Sequence, residues 1–153
     1  MFKNKTVSVV VPAHNEEKLI HIVLQTFPDW VDKVIVVDDC STDATAEVVR
    51  RHIKEDSRVS LVMHTENKGV GGAIASGYKA SLEMQCDNAV VMAGDAQMDP
   101  NDMERVVLPV AEGRADYSKG NRLFTGQAWD IIPRHRYIGN AALSLFTKIA
   151  SGY

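Results

Sequence analysis

Lys33–Thr45 reads KVIVVDDCSTDAT. Its four consecutive β-branched apolar residues, Val34 to Val37, do not alternate with polar ones, so a strand here must be covered on both faces. Two carboxylates, Asp38 and Asp39, follow at once. A polar turn comes next, and then a segment of helical period that runs to about Lys54. A buried strand, a polar turn and a helix make one unit of a parallel sheet.

The same unit recurs on either side. Upstream, TVSVVVPA (Thr6–Ala13) is a buried strand that Pro12 closes. Asn15 is placed to cap a helix with Glu16 and Glu17 in its first turn and Ile20, Val23, Leu24 and Phe27 on its apolar face. Downstream, RVSLVMH is a third strand. TENKGVGGAIASGYKASLEM is a polar loop, a glycine-rich helix start and a helix. NAVVMAG is a fourth strand, and Asp99 caps the next helix with Pro100 at its first position. DYSKGNR reads as a short fifth strand, residues 124–133 as a loop and 134–151 as a helix. The expected fold is therefore α/β, a mostly parallel sheet with helices on both faces. Ligands of such sheets bind beyond the carboxyl ends of the strands.

Composition agrees with one soluble globular domain spanning residues 1–153. The chain is 45% hydrophobic and 24% charged, with 17 Lys and Arg against 20 Asp and Glu. A net charge of −3 argues against a broad nucleic-acid surface. The two cysteines, Cys40 and Cys86, match no metal spacing and read as reduced thiols of a cytosolic protein. No apolar run approaches the ~20 residues of a membrane span, and the N-terminus does not read as a signal peptide.

Polar groups collect at the strand ends. Asp38 and Asp39 either cap the turn and meet solvent or accept the imino and amino protons of a nucleotide base. Pro12, Asn15 and Glu16 are either a strand stop, a cap and a first-turn acid or part of a pocket. The glycines at 69, 71, 72 and 77 match neither a dinucleotide fingerprint nor a phosphate-binding P-loop. They serve close packing of helix on sheet, or leave room for a ligand. Asp95 is left over once Asp99 has capped its helix. With Gln97 two residues on, it offers hard oxygen donors that suit Mg²⁺ or Mn²⁺ carried on a diphosphate. The histidines at 14, 21, 52, 64 and 135 read as surface or pocket-lining residues. Lys119, Arg122, Arg134 and Arg136 form either a solvated face or a clamp for phosphate charge.

Taken together, VVVPAHNEE, VIVVDDCSTDAT, NKGVGGAIASG, VVMAGDAQMDP and DYSKGNR resemble the inverting family 2 glycosyltransferases of GT-A fold, a Rossmann-like nucleotide-diphospho-sugar transferase fold. Within them the likeness is greatest to polyprenyl- and dolichyl-phosphate sugar transferases. The resemblance implies that Pro12, His14, Glu16, Val37 and Asp39 line the base and ribose pocket. Gly94 and Asp95 fall in the family's Asp-x-Asp metal motif, and Arg122, with Arg134 or Arg136, faces the diphosphate. The donor is then a UDP- or GDP-linked sugar and the acceptor a lipid phosphate or glycan.

Two departures stand out. Ala93 replaces the first aspartate of the motif. The chain also stops at Tyr153, before the segment in which such enzymes carry acceptor contacts and often a catalytic base, so a C-terminally incomplete domain is expected. Residues 134–151 join a basic entry, Arg134 and Arg136, to an apolar stripe of Ile138, Ala142, Leu145 and Ile149 that Leu143 and Phe146 extend. Such a helix either lies at the cytoplasmic face of a membrane, in a cytoplasmic protein, or packs on the domain's own core. The competing readings are a nucleotide-binding remnant without turnover, a sugar nucleotidyltransferase and a phosphoryl-receiver domain. The second lacks its basic glycine-rich loop after the first strand; the third has its acidic pair after the wrong strand.

Overall fold

In a computed structural model of the chain, the residues described are 1–120 together with 139, 143, 146 and 148. The chain forms two compact units, Met1–Ser118 and Lys119–Tyr153. The first contains β1 (Val7–Ala13), α1 (Ile20–Gln25), β2 (Lys33–Asp38), α2 (Thr45–Glu55), β3 (Val59–Met63), α3 (Gly69–Glu83), β4 (Asn88–Val91), a single 3₁₀ turn (Pro100–Asp102) and α4 (Met103–Ala111).

The four strands are parallel and stand in the order β3-β2-β1-β4. The pleat sorts β1 by parity. Val7, Val9, Val11 and Ala13 point into the larger core with Ile20, Val23 and Leu24 of α1, Val49 of α2, and Met103, Val107 and Ala111 of α4. Val10 points the other way and packs with Ile35, Val37 and Ala73 of α3. The sheet is thus covered on both faces, as the unbroken valine runs require. Ser8 also lies on the α3 side, where its hydroxyl bonds that of Ser81 at 2.6 Å.

α3 approaches the sheet closely because Gly77 has no side chain. An added Cβ would lie 2.1 Å from Val10 Cγ1. Gly71, by contrast, faces open space, and Gly69 turns the chain at φ +73°. The glycine-rich segment therefore serves both of the purposes expected of it, at different residues.

At the amino ends of the strands, carboxylates are consumed by the backbone. Asp32 Oδ2 accepts the Val7 N–H at 2.9 Å, and Asp87 Oδ2 accepts both the N–H and the hydroxyl of Thr6 at 2.8 Å. Those acids hold the fold together. The opposite end of the sheet is arranged differently.

Two local expectations are corrected. Asn15 does not cap α1: that helix begins at Ile20, and Leu19 at its cap position makes no side-chain bond. The Asn15 side chain instead reaches the β2–α2 loop, where Oδ1 accepts the Thr42 N–H at 2.8 Å. Residues 116–120 of the expected fifth strand DYSKGNR form no strand: among the described residues nothing pairs with them, and Tyr117 is 74% exposed. Asn121 and Arg122 lie outside the described residues. Asp99 does cap as expected, its carboxylate accepting the Asn101 N–H with Pro100 in first position.

In the second unit Gly139, Leu143, Phe146 and Lys148 are helical, and the other residues of the helix expected at 134–151 lie outside the described residues. Leu143 and Phe146 are 66% and 67% exposed. The rest of that expected stripe, Ile138, Ala142, Leu145 and Ile149, lies outside the described residues. Among the described residues no helix is long and apolar enough to cross a membrane.

Candidate functional site

The order β3-β2-β1-β4 has one topological switch point. From β1 the chain builds outward through β2 and β3, then crosses by α3 to the other side of β1 and enters β4. The loops after β1 and β4 therefore emerge side by side at the carboxyl ends of adjacent strands, both leading to helices on the same face, and the space between them is a crevice of the kind in which open α/β sheets take ligands. That crevice is bordered by Pro12 to Glu16 on one side and Gly94 to Gln97 on the other. Gly94 sits hard against the end of β1: its N–H reaches Pro12 O at 3.3 Å, and a Cβ would press on Ile20 and Pro12.

The loops after β1 and β2 are stitched together. Glu16 N–H donates to Thr45 Oγ1 at 2.8 Å and Glu17 N–H to Asp43 Oδ2 at 3.1 Å, while Glu17 Oε2 accepts the Ala44 N–H. Ser41 links both loops, its hydroxyl donating to Asp38 and accepting the Asn15 N–H. His14 Nδ1 lies 2.9 Å from the Asp39 carbonyl oxygen, and Asn67 of the β3–α3 loop comes within 3.4 Å of the same ring nitrogen. Three non-glycine residues just past strand ends, Asn15, Cys40 and Ala96, hold left-handed φ near +60°. For Ala96 no side-chain bond compensates the roughly 1–2 kcal/mol this conformation costs, so the loops hold it in place.

Asp39 is buried, as is its neighbour Asp38. The β2/β3 register sets Asp38 beside Met63, and the next residues, Asp39 and His64, meet at the sheet's end. Asp39 Oδ1 lies 2.6 Å from His64 Nδ1 and also accepts the Lys68 N–H at 2.9 Å. The far nitrogen of His64 is 2.8 Å from Ser76 Oγ on α3. Burial pushes the Asp39 carboxyl up. The Lys68 N–H, His64 and the Gly69 N–H together outweigh burial and hold the carboxyl below the ordinary carboxylate value.

At the β4 end, Asp95 Oδ1 accepts the Gln97 N–H at 3.1 Å in a tight local turn, leaving Oδ2 and the Gln97 carboxamide as outward oxygen donors. Glu16 faces them. Its carboxyl is raised above its ordinary value by burial, then by the negative charges of Asp95 and Asp43, with His14 pulling the other way. The donors are all oxygen and their negative charge is only partly compensated, which fits a hard divalent ion. Among the described residues, no three His, Cys, Asp or Glu converge to hold an ion by themselves. An ion here would need oxygens of a bound diphosphate as well.

The raised Glu16 carboxyl carries a stability prediction. A carboxyl with a raised folded value is charged at neutral pH in a place that disfavours the charge, so it costs stability there. That cost is present above the folded value and fades as pH falls toward the ordinary 4.5. Glu16→Gln will therefore raise the melting temperature at pH 7, by less than about 1 kcal/mol in stability, and leave it unchanged near pH 3. Scanning calorimetry at the two pH values reads the sign.

The structure brings Pro12, His14, Glu16, Asp39, Gly94, Asp95 and Gln97 to one end of the sheet. Val37 is there too, but its side chain is fully buried in the smaller core, so only its backbone can meet a ligand. Arg122, Arg134 and Arg136 lie outside the described residues. The sequence reading missed His64 as a buried partner of Asp39, and with it Ser76. A signal existed: aligning VIVV of β2 with VSLV of β3 sets residue 39 opposite residue 64.

A family model, Glycosyl transferase family 2, matches residues 8–151. The chain is 31% identical over 163 residues to the UDP-N-acetylglucosamine–dolichyl-phosphate N-acetylglucosaminyltransferase of Methanococcus voltae, which covers 98% of this chain and 65% of the relative. It is 30% identical over 148 residues to the undecaprenyl-phosphate mannosyltransferase of Micrococcus luteus, covering 95% of this chain and 60% of the relative. Among solved structures, glucosyl-3-phosphoglycerate synthase from Mycobacterium tuberculosis, in complex with Mn²⁺, UDP and glucosyl-3-phosphoglycerate, is similar with a TM-score of 0.56 at 27% identity. That match covers 71% of this chain and 40% of the synthase. The chain spans about three fifths of the length of four of the curated relatives it matches and less of others. The family match takes in every strand end that borders the crevice, so this chain belongs to glycosyl transferase family 2.

Proposed function

We propose that the domain holds a nucleoside diphosphate sugar across the ends of β1, β2 and β4, and that the protein transfers the sugar, with inversion, to a polyprenyl phosphate or related acceptor. The observation that carries this is the placing of two acidic centres, Asp39 after β2 and Asp95 with Glu16 after β4 and β1, at the carboxyl ends of three adjacent strands. Two relatives whose names state a dolichyl-phosphate and an undecaprenyl-phosphate acceptor support the acceptor class.

In this reading Asp39 accepts an N–H of the base, and Pro12, His14, Glu16 and the Val37 backbone line the base and ribose. Gly94 lets the ligand approach the end of β1. A divalent ion, Mg²⁺ or Mn²⁺, supplies charge neutralisation on the diphosphate leaving group when bound, and Asp95 and Gln97 would hold it. Arg122, Arg134 and Arg136 are assigned to the same diphosphate. A phosphate monoester acceptor, with its second pKa near ~6, is already ionised at neutral pH and needs little help from a general base. Residues 134–151 would meet the membrane surface on which such an acceptor lies.

Calorimetry with UDP, GDP and their sugar esters, with and without Mn²⁺, tests the binding half. Asp95→Ala should lower the Mn²⁺-dependent affinity by at least about tenfold while leaving the affinity for the nucleoside nearly intact. Absence of binding by every such nucleotide with Mn²⁺ present would sink the proposal. Transfer of labelled sugar to polyprenyl phosphate then separates an enzyme from a nucleotide-binding domain without turnover.

A further inference from the structure

His64 and Ser76 have no place in the binding reading above, yet they are built around its base-reading acid. The His64 and Asp39 side chains are 5% and 4% exposed. Ser76 Oγ at 2.8 Å from Nε2 and Asp39 Oδ1 at 2.6 Å from Nδ1 pin the imidazole at both nitrogens. The Lys68 N–H also bonds Oδ1, at 2.9 Å. A carboxylate oxygen has about two acceptor sites, so Oδ1 is fully engaged by these two groups. Oδ2 takes part in neither bond, and the nearby Gly69 N–H is engaged by Asn67 Oδ1 at 3.0 Å.

The count of available oxygens bears on which base fits. Guanine presents two parallel donors on one edge, an imino and an amino N–H, which a carboxylate satisfies with both oxygens, as in other bidentate pairs. Uracil presents one imino N–H flanked by two carbonyl oxygens. It needs a single acceptor, and a second carboxylate oxygen facing it would be repelled by the carbonyls.

We propose that His64, backed by Ser76, is a positioning residue that reduces Asp39 to a one-oxygen acceptor, and that the site in consequence takes uridine nucleotides in preference to guanosine nucleotides. This rests on the nucleotide-binding reading above and adds the base to it.

The test is competition between UDP and GDP, with Mn²⁺ present, on the wild-type chain and four variants. The wild type should prefer UDP by at least about tenfold, the scale of one hydrogen bond to a charged group. His64→Ala frees one of the two acceptor sites of Oδ1, the Lys68 N–H keeping the other, so UDP affinity falls and the UDP-to-GDP ratio moves toward one. His64→Asn keeps an N–H donor near the place of Nδ1 and should retain most of the preference. Ser76→Ala should shift the ratio in the same direction as His64→Ala, by less, and serves if His64→Ala does not fold. Leu82→Ala, at an exposed position on α3, should leave the ratio unchanged. A merely structural role for His64 would lower both affinities together and keep the ratio. Equal wild-type affinities for UDP and GDP, or a ratio that none of the His64 and Ser76 variants moves, overturns the proposal and leaves nucleotide binding standing. Failure to bind either nucleotide overturns the nucleotide reading itself.

Discussion

Asp39→Ala will destabilise the domain by roughly 2–4 kcal/mol and remove its base-dependent nucleotide affinity. The stability loss follows from what the carboxylate satisfies. His64 Nδ1 and the Lys68 N–H both end on Oδ1 in a pocket nearly closed to water. Removing that oxygen leaves two donors without a partner, and each such group costs about 1–3 kcal/mol when buried. The loss is larger than for an exposed acid such as Asp102, whose ion pair with Arg105 is solvated.

The pH dependence has a definite sign. Asp39 has a folded value lowered from the ordinary 3.8. It therefore contributes stability that is present above the ordinary value and lost as pH falls through the lowered one. Urea denaturation of wild type and variant should differ fully at pH 7 and converge as the pH falls well below 3.8. An Asp39→Ala variant as stable as the wild type at pH 7 would mean that water replaces the carboxylate, and that the pocket is more open than its burial indicates.

Gly77→Ala should cost about 1–3 kcal/mol, the range for forcing extra atoms into a packed core, although alanine is the better helix former by about 1 kcal/mol. The new Cβ would stand 2.1 Å from Val10 Cγ1, 3.0 Å from Cγ2 and 3.1 Å from Cβ. Val10 is fully buried and, as a β-branched residue, is stiff at χ1. α3 must then move off the sheet. Ser76, the neighbour of Gly77, would move with it and loosen the His64 ring, so nucleotide affinity should fall together with stability.

Val10→Ala in the same chain makes room for the new methyl group. The double mutant should recover part of the loss, with a coupling on the order of 1 kcal/mol. Gly71→Ala is the contrast: its Cβ meets nothing within 4 Å, so the variant should be as stable as the wild type or more so. Equal costs at positions 71 and 77 would show that backbone freedom, rather than the approach of α3 to Val10, explains these glycines.

Much of this architecture is legible in the chain alone because strand and helix periods are local. The unbroken run Val34–Val37 demanded cover on both faces, and the structure supplies it with α3 on one side and α1, α2 and α4 on the other. Turn residues were legible where a side chain acts on its own segment, as with Asp99 and Pro100. Where a side chain acts on another segment, the local reading failed. Asn15 resembles a helix cap, but its amide is claimed by Thr42, 27 residues away. DYSKGNR has the look of a strand, but a strand exists only where a partner pairs with it, and residues 116–120 have none among the described residues.

By itself, the sequence determined the parallel α/β class and the gathering of acids at strand ends, since both depend on neighbours in the chain. The order of the strands was decided only in three dimensions. α3 crosses the face of the sheet opposite α1 and α2, because Val10, Ile35 and Val37 needed cover there, and so delivers β4 beside β1. That crossing sets Asp95 against Glu16, while the β2/β3 register sets His64 against Asp39. The first pairing is encoded near neither residue and arises from how apolar faces are buried elsewhere in the domain. The second is implicit in the two strands that precede Asp39 and His64, but only their pairing in three dimensions realises it.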